Sequence, residues 1–177
     1  MAKVQGYRDV VVVDYDSSWP ARYERERASI VEALGDVMEG IAGIEHVGST
    51  AVPGLGAKPV IDITVGVRTL VDGEKCVGPM EELGYEYRGD GEIPGRHYFR
   101  KFTRGERTHH LNIVEHKGDF WERHILFRDY LREHPQEAQD YYELKVRLAE
   151  RFGTDRLGYN EAKTAFIELA LAKAKGH

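Results

Sequence analysis

Cysteine is all but missing, since Cys76 is the one cysteine in 177 residues. A single thiol excludes an intramolecular disulfide and a cysteine-based zinc site, and makes a reducing, cytoplasmic setting the expectation. Long apolar runs are missing as well. The longest, Val10 to Val13, falls far short of the roughly 20 residues that span a bilayer. Met1 to Gly6 lacks the apolar stretch of a signal peptide, so no membrane association is expected. Positive charge is not in surplus either: 25 Lys and Arg face 30 Asp and Glu, a formal net charge of -5. An extended nucleic-acid partner is therefore excluded, because such a track needs excess cations to displace counterions. A small anion on a local basic patch remains open. There is no internal repeat and no low-complexity tract, and nothing in the pattern specifies an oligomeric state.

The chain length, 41% hydrophobic and 31% charged residues together describe one globular domain with a sizeable core. Val10 to Val13 reads as a short buried strand, because β-branched side chains suit a pleated backbone. Asp16-Ser17-Ser18-Trp19-Pro20 starts a helix, with a Ser as cap and Pro20 in the first turn. That helix reaches about Gly40 and turns Trp19, Tyr23, Ile30 and Leu34 to one face. Strands are expected at Ile44 to Val47 and Val60 to Val67, a helix at Thr69 to Leu83, and a strand at Tyr85 to Arg88. A hairpin is expected from His97 to Thr103 and Thr108 to Glu115. From Gly118 the period becomes helical. Asp119 reads as a cap with Glu122 as its capping-box partner, Pro135 opens a second helix that ends at Gly153, and a third runs from about Asn160 to Lys175. The expectation is a single domain over residues 1–177: an α+β core with a mixed sheet over 1–117, and a three-helix segment over 118–177 packed on it.

The chemistry concentrates in two adjoining stretches. His46-Val47-Gly48-Ser49-Thr50 runs a strand into a turn, and Lys58-Pro59-Val60-Ile61-Asp62-Ile63-Thr64 places a lone carboxylate on the next strand. Gly48 permits close backbone approach to a ligand, and Ser49 and Thr50 offer hydroxyls and amides to a phosphate. Alternation turns Asp62 and Thr64 away from Ile61 and Ile63. A carboxylate on an apolar strand needs a cation or donors beside it. The competing reading is an ordinary turn beside a satisfied structural acid.

Gly48 to Leu55 together with Ala57 to Ile63 resembles the signature of the GrpB (UPF0157) family. Phe127-Arg128-Asp129-Tyr130-Leu131-Arg132, followed by His134-Pro135, resembles that family's second signature. Tyr141, Lys145, Leu148, Ala149, Tyr159 and Lys163 also fall in its pattern, and the likeness covers roughly Val10 to Ala170. The resemblance implies a nucleotidyltransferase (polymerase β-like) fold. In that superfamily a Gly-Ser turn binds a triphosphate, and carboxylates in an Asp-x-Asp pair, with a third from a neighbouring strand, hold divalent metal. It also implies a nucleotide or coenzyme A context, since such domains occur fused to dephospho-CoA kinase.

The sequence departs from the active superfamily pattern. Asp62 matches the first carboxylate, Thr64 stands in the second place, and the strand Thr108 to Val114 offers His110 and Asn112 instead of a third. Two-metal chemistry relies on several carboxylates. Asp62 with Thr64, His110 and Asn112 could hold at most one Mg²⁺, or His110 and Asp62 a transition metal such as Mn²⁺ or Zn²⁺. His109 and His110 are adjacent, so a strand sends them to opposite faces. Arg96 to Arg107 is the one markedly basic stretch, and it reads either as a charged hairpin edge or as an anion cradle with Arg100 in the cleft. Lys145 and Lys163 each follow a tyrosine, Tyr141 and Tyr159, by one helical turn, so each pair shares a face. That face either overlies the sheet or lies in solvent.

The leading expectation is a GrpB-family protein that binds a phosphorylated small molecule, foremost a nucleotide, between sheet and helices. Gly48, Ser49, Thr50, Lys58, Arg100, Lys145, Tyr159 and Lys163 would bind it. Asp62 and His110 would serve metal-dependent nucleotidyl or phosphoryl transfer. Two alternatives stand beside it: a non-catalytic nucleotide-binding or interaction module, favoured by the missing carboxylates, and a metal-assisted hydrolase or lyase built on Asp62 and His110.

Overall fold

The computed structural model describes residues 10–176. Helix α1 (Trp19–Leu34) continues through a 3-10 turn (Gly35–Gly40) into strand β1 (Ile41–Val47). A second 3-10 turn (Ser49–Ala51) and a long loop lead to β2 (Ile61–Val67). Helices α2 (Leu70–Glu74) and α3 (Val77–Glu82) follow, then β3 (Glu86–Tyr87), β4 (Arg96–Thr103) and β5 (Glu106–Glu115). Helices α4 (Asp119–Glu133), α5 (Pro135–Phe152) and α6 (Arg156–Lys175) complete the chain. The five strands form one sheet in the order β1-β2-β5-β4-β3. Only the β2–β5 pair is parallel. The expected α+β class with a mixed sheet and a C-terminal helical segment is what the chain adopts.

The two faces of the sheet differ because its central strands alternate. Ile61, Ile63, Val65 and Val67 of β2, Leu111 and Ile113 of β5 and Phe99 of β4 are all fully buried. They pack against Trp19, Ile30 and Leu34 of α1 and Met80 of α3. The opposite face carries Asp62, Thr64, His110 and Asn112, and helices α4, α5 and α6 cover it around a smaller core of Val52, Leu55, Leu131, Tyr141 and Ala170. Helix α4 can approach so closely because Gly43 and Gly66 are register partners on β1 and β2. A Cβ on Gly66 would stand 2.8 Å from the Trp121 ring, and one on Gly43 3.0 Å. The indole therefore lies directly over bare backbone.

Several boundaries differ from the sequence reading. Val10 to Val13 is not a strand: Val13 makes one isolated bridge to Ala57, and Val11 is 57% exposed. Four β-branched residues favour extended backbone, yet among the described residues no neighbouring strand pairs with them. The Thr69 to Leu83 helix is broken into α2 and α3, consistent with the weak helix propensity of its Gly73 and Gly78. At α1 the Ser18 side chain does not cap; the Asp16 carboxylate instead accepts from the Ser18 amide at 2.8 Å. Asp119 is the first residue of α4 rather than its cap, Gly118 precedes it, and no capping box forms. Helix α6 begins at Arg156, earlier than Asn160, because the Asp155 carboxylate accepts from the Gly158 amide at 2.9 Å.

Candidate anion-binding cleft

The polar face of the sheet and the three C-terminal helices enclose a cleft of about 440 Å³. Gly48, Ser49, Thr50, Lys58, Asp62, His110, Asn112, Lys145, Tyr159 and Lys163 line it, as the sequence led us to expect. Two expected members do not. Arg100 sits in the same cross-strand row as His110 and Asp62, but its guanidinium turns to Glu86, directly opposite on β3, at 2.9 Å. Thr64 is in register with Asn112 yet is completely buried, its hydroxyl without a hydrogen-bond partner. Thr50 lines the cleft, but its hydroxyl is engaged by the His46 ring at 2.8 Å.

Asp62 anchors the centre. His110 Nδ1 lies 3.0 Å from its Oδ1, and since a carboxylate only accepts, Nδ1 carries the proton. His110 Nε2 then accepts from Arg107, 3.3 Å away. Burial would raise the Asp62 carboxyl, but the hydrogen bond from His110 and the charge of Lys58 outweigh it and hold the group below its ordinary value. Gly48 explains the turn preceding it. Its φ is +73°, and a Cβ there would stand 2.6 Å from the Asp62 carboxylate, so only glycine lets strand β1 end against this acid.

Around this one carboxylate the cleft gathers Lys58, Arg96, Arg123, Lys145 and Lys163. Arg96 donates to Asn112 Oδ1 at 2.9 Å and to the Asp90 and Gly91 carbonyls. Arg123 pairs with Glu168. Among the described residues the three lysines have no acidic partner. Lys58 and Lys163 lie over the Tyr159 ring at 5.2 and 4.4 Å. Lys145 is 3% exposed, lies over Tyr141 at 4.9 Å and donates to the Gly56 carbonyl at 2.6 Å. Burial, then the charges of Lys163 and Lys58, bring Lys145 down to about 7. Burial and Lys58 bring Lys163 down to about 8.

The sequence reading missed the apolar end of the cleft: Tyr98, Phe120, His124 and Phe127. His124 stacks on Phe120 at 4.0 Å, and its Nδ1 donates to the Phe120 carbonyl at 2.7 Å, which leaves Nε2 as the acceptor. Burial lowers its pKa. Alternation on β4 pointed to Tyr98, but the pattern of α4 gave no reason to place Phe120 and His124 over the sheet. Arg128 and Arg132 have structural roles. Arg128 donates to Glu45, Asp129 and the His46 carbonyl, and Arg132 to the Ala51 carbonyl. The second sequence signature thereby clamps the first.

These residues do not fit a multi-carboxylate metal site. Among the described residues no group of three or more His, Cys, Asp and Glu converges on one point. Asn112, the expected third ligand, accepts from a guanidinium.

A mixed-sheet α+β domain whose polar face forms a cation-lined cleft under three helices is the class that fold and site define. The chain belongs to the GrpB family: the family model described as GrpB protein matches residues 9–173. It is 37% identical to the Glutamate-rich protein GrpB of Alkalihalophilus pseudofirmus, over 90% of this chain and 92% of that protein. It is 40% identical to a UPF0157 protein of Pseudomonas aeruginosa, over 93% of this chain and 67% of the relative. The crystal structure of the conserved protein GrpB from Enterococcus faecalis superposes with a TM-score of 0.81 at 36% identity, covering 93% of this chain and 96% of that one.

Proposed function

We propose that the cleft binds a small phosphorylated molecule, foremost a nucleotide, with its phosphates among the lysines and its base at the aromatic end. One observation carries this reading. In a protein of net charge -5, five basic side chains line one cleft with a single carboxylate between them. Buried cations without counterions are costly, and a bound anion relieves that cost. The Ser49 hydroxyl and the turn after Gly48 add donors, and Tyr98, Phe120 and the His124 ring supply faces on which a base can stack.

The binding reading is favoured over metal-dependent transfer by the donor set. Three lysines and one carboxylate line the cleft, and lysine cations neutralise phosphate charge directly. The nucleotidyltransferase relationship that the resemblance implies fits this as a derived site: Asp62 keeps the first carboxylate position, while Thr64 and Asn112 occupy the other two. The Asp62–His110 pair has the form of a base held by an orienting acid, and Arg107 occupies the nitrogen such a base would use.

A thermal-shift screen of nucleotides against their unphosphorylated nucleosides tests the reading. A ligand at 100 times its dissociation constant stabilises by about 2.7 kcal/mol. Nucleotides should raise the melting temperature and nucleosides should not. Equal response to both, or to neither, would reject it.

A further inference from the structure

The proposed phosphate site is asymmetric. Arg96 and Arg123 each have bonds of their own, whereas Lys58, Lys145 and Lys163 crowd around two buried tyrosine rings with no acid bonded to them. Tyr159 is fully buried, lines the cleft, and its hydroxyl has no hydrogen-bond partner. An ammonium group offers three donors. Lys145 uses one, on Gly56, and no hydrogen bond or ion pair within the described residues engages the other two lysines. This end of the cleft therefore holds three lysines and a phenol with donors to spare, and Asp62 is the one carboxylate that lines it with them.

We propose that this end of the cleft is a receptor for a doubly charged terminal phosphate, a phosphomonoester rather than a phosphodiester. The proposal rests on the reading of the cleft as a phosphate site and narrows it to one class of phosphate.

The charge balance makes the distinction. The groups facing the three ammoniums are Asp62 from β2, the Tyr141 and Tyr159 rings from α5 and α6, and the lysines themselves, with Arg156 from the start of α6 and Arg107 from β5 acting on Lys58. Asp62 is bonded to His110 on β5, and His124 of α4 lines the same cleft. Burial disfavours the ammonium forms and one carboxylate does not offset three of them, so Lys145 and Lys163 give up part of their charge near neutral pH. A dianion next to them restores it, and the proton comes from solvent. A phosphomonoester has a second pKa near 6 and is already a dianion at pH 8, so protons taken up there belong to the protein. A phosphodiester brings one charge and restores less.

The test is calorimetric titration at pH 8 with phenyl phosphate and with its monomethyl ester, in two buffers that differ in ionisation enthalpy. Phenyl phosphate should bind at least tenfold tighter than the ester, with a buffer-dependent heat that reports net proton uptake. In the Lys145→Met and Lys163→Met variants that uptake should shrink; two variants are used so that a folding failure in one leaves the other informative. Equal affinity for monoester and diester, or binding without proton uptake, would overturn this inference while leaving a phosphate-binding cleft intact. Failure of both probes and of nucleotides to bind would overturn the cleft reading as well.

Discussion

His109 and His110 are neighbours on β5, face opposite sides of the sheet, and each meets a carboxylate. On the core side, Glu26 of α1 accepts from Tyr85 at 2.7 Å and from Lys101 at 2.8 Å, with His109 3.9 Å away. That cluster is closed: its acid, on α1, is surrounded by partners from the residue before β3, from β4 and from β5. On the cleft side, Asp62 has His110 at 3.0 Å, and three further cations stand nearby without acids. The same residue pairing is thus structural on one face and open on the other. The difference lies in whether opposite charges are matched. A matched cluster holds elements together; the unmatched one is where the proposed ligand would supply the missing charge.

Breaking the core cluster should cost the most. Glu26→Ala strands Lys101 and the Tyr85 hydroxyl and should remove about 3–5 kcal/mol of stability in urea titrations, with nucleotide affinity unchanged. Acid comes next. Burial lowers the His46 and His109 rings from 6.5 to about 4, against the pull of Asp62 and Glu26 respectively. The folded chain therefore binds these protons less readily than the unfolded one. Stability should be full above pH 6.5 and fall as pH drops towards 4, by roughly 3 kcal/mol per ring. Urea midpoints between pH 7 and 4.5 measure this, and His109→Gln should flatten the slope by about half.

On the cleft side the sign reverses. Lys145→Met removes an unmatched buried cation and should stabilise the unliganded protein by about 1–2 kcal/mol at pH 6. Lys145 binds its proton less readily folded, with a value lowered from 10.5 to about 7. The unvaried chain therefore gains stability as pH rises between those values, and the advantage of the variant should shrink by pH 9. The smallest effect belongs to Arg100→Ala, whose partner Glu86 is exposed. It should change stability by less than about 1 kcal/mol and leave nucleotide affinity as it was.

Much of this was legible in the sequence. The alternation Ile61, Asp62, Ile63 fixed the faces of β2, and the Tyr141–Lys145 and Tyr159–Lys163 spacings put each lysine on one helix face with an aromatic ring. Their burial was not legible, because helical spacing gives a shared face but not what covers it. Arg100 misled for a related reason. Alternation put it in the right row, while its guanidinium was taken by Glu86 on β3, a two-residue strand too short to read with its register. The stretch Val10 to Val13 had strand-forming residues and no strand to pair with. Phe120 and His124 enter the cleft only because Gly43 and Gly66 let Trp121 settle onto the sheet, a long-range fit that no local pattern records.

The central claim is that the lysines, rather than a cation held by Asp62, bind the phosphates. Calorimetric titration of adenosine diphosphate into the protein and into Asp62→Asn, in buffer containing EDTA, tests it most directly. The account predicts binding to both proteins, equal or tighter for Asp62→Asn because a repelling charge is gone. Binding that appears only when Mg²⁺ or Mn²⁺ replaces EDTA, and is lost in Asp62→Asn, would contradict it.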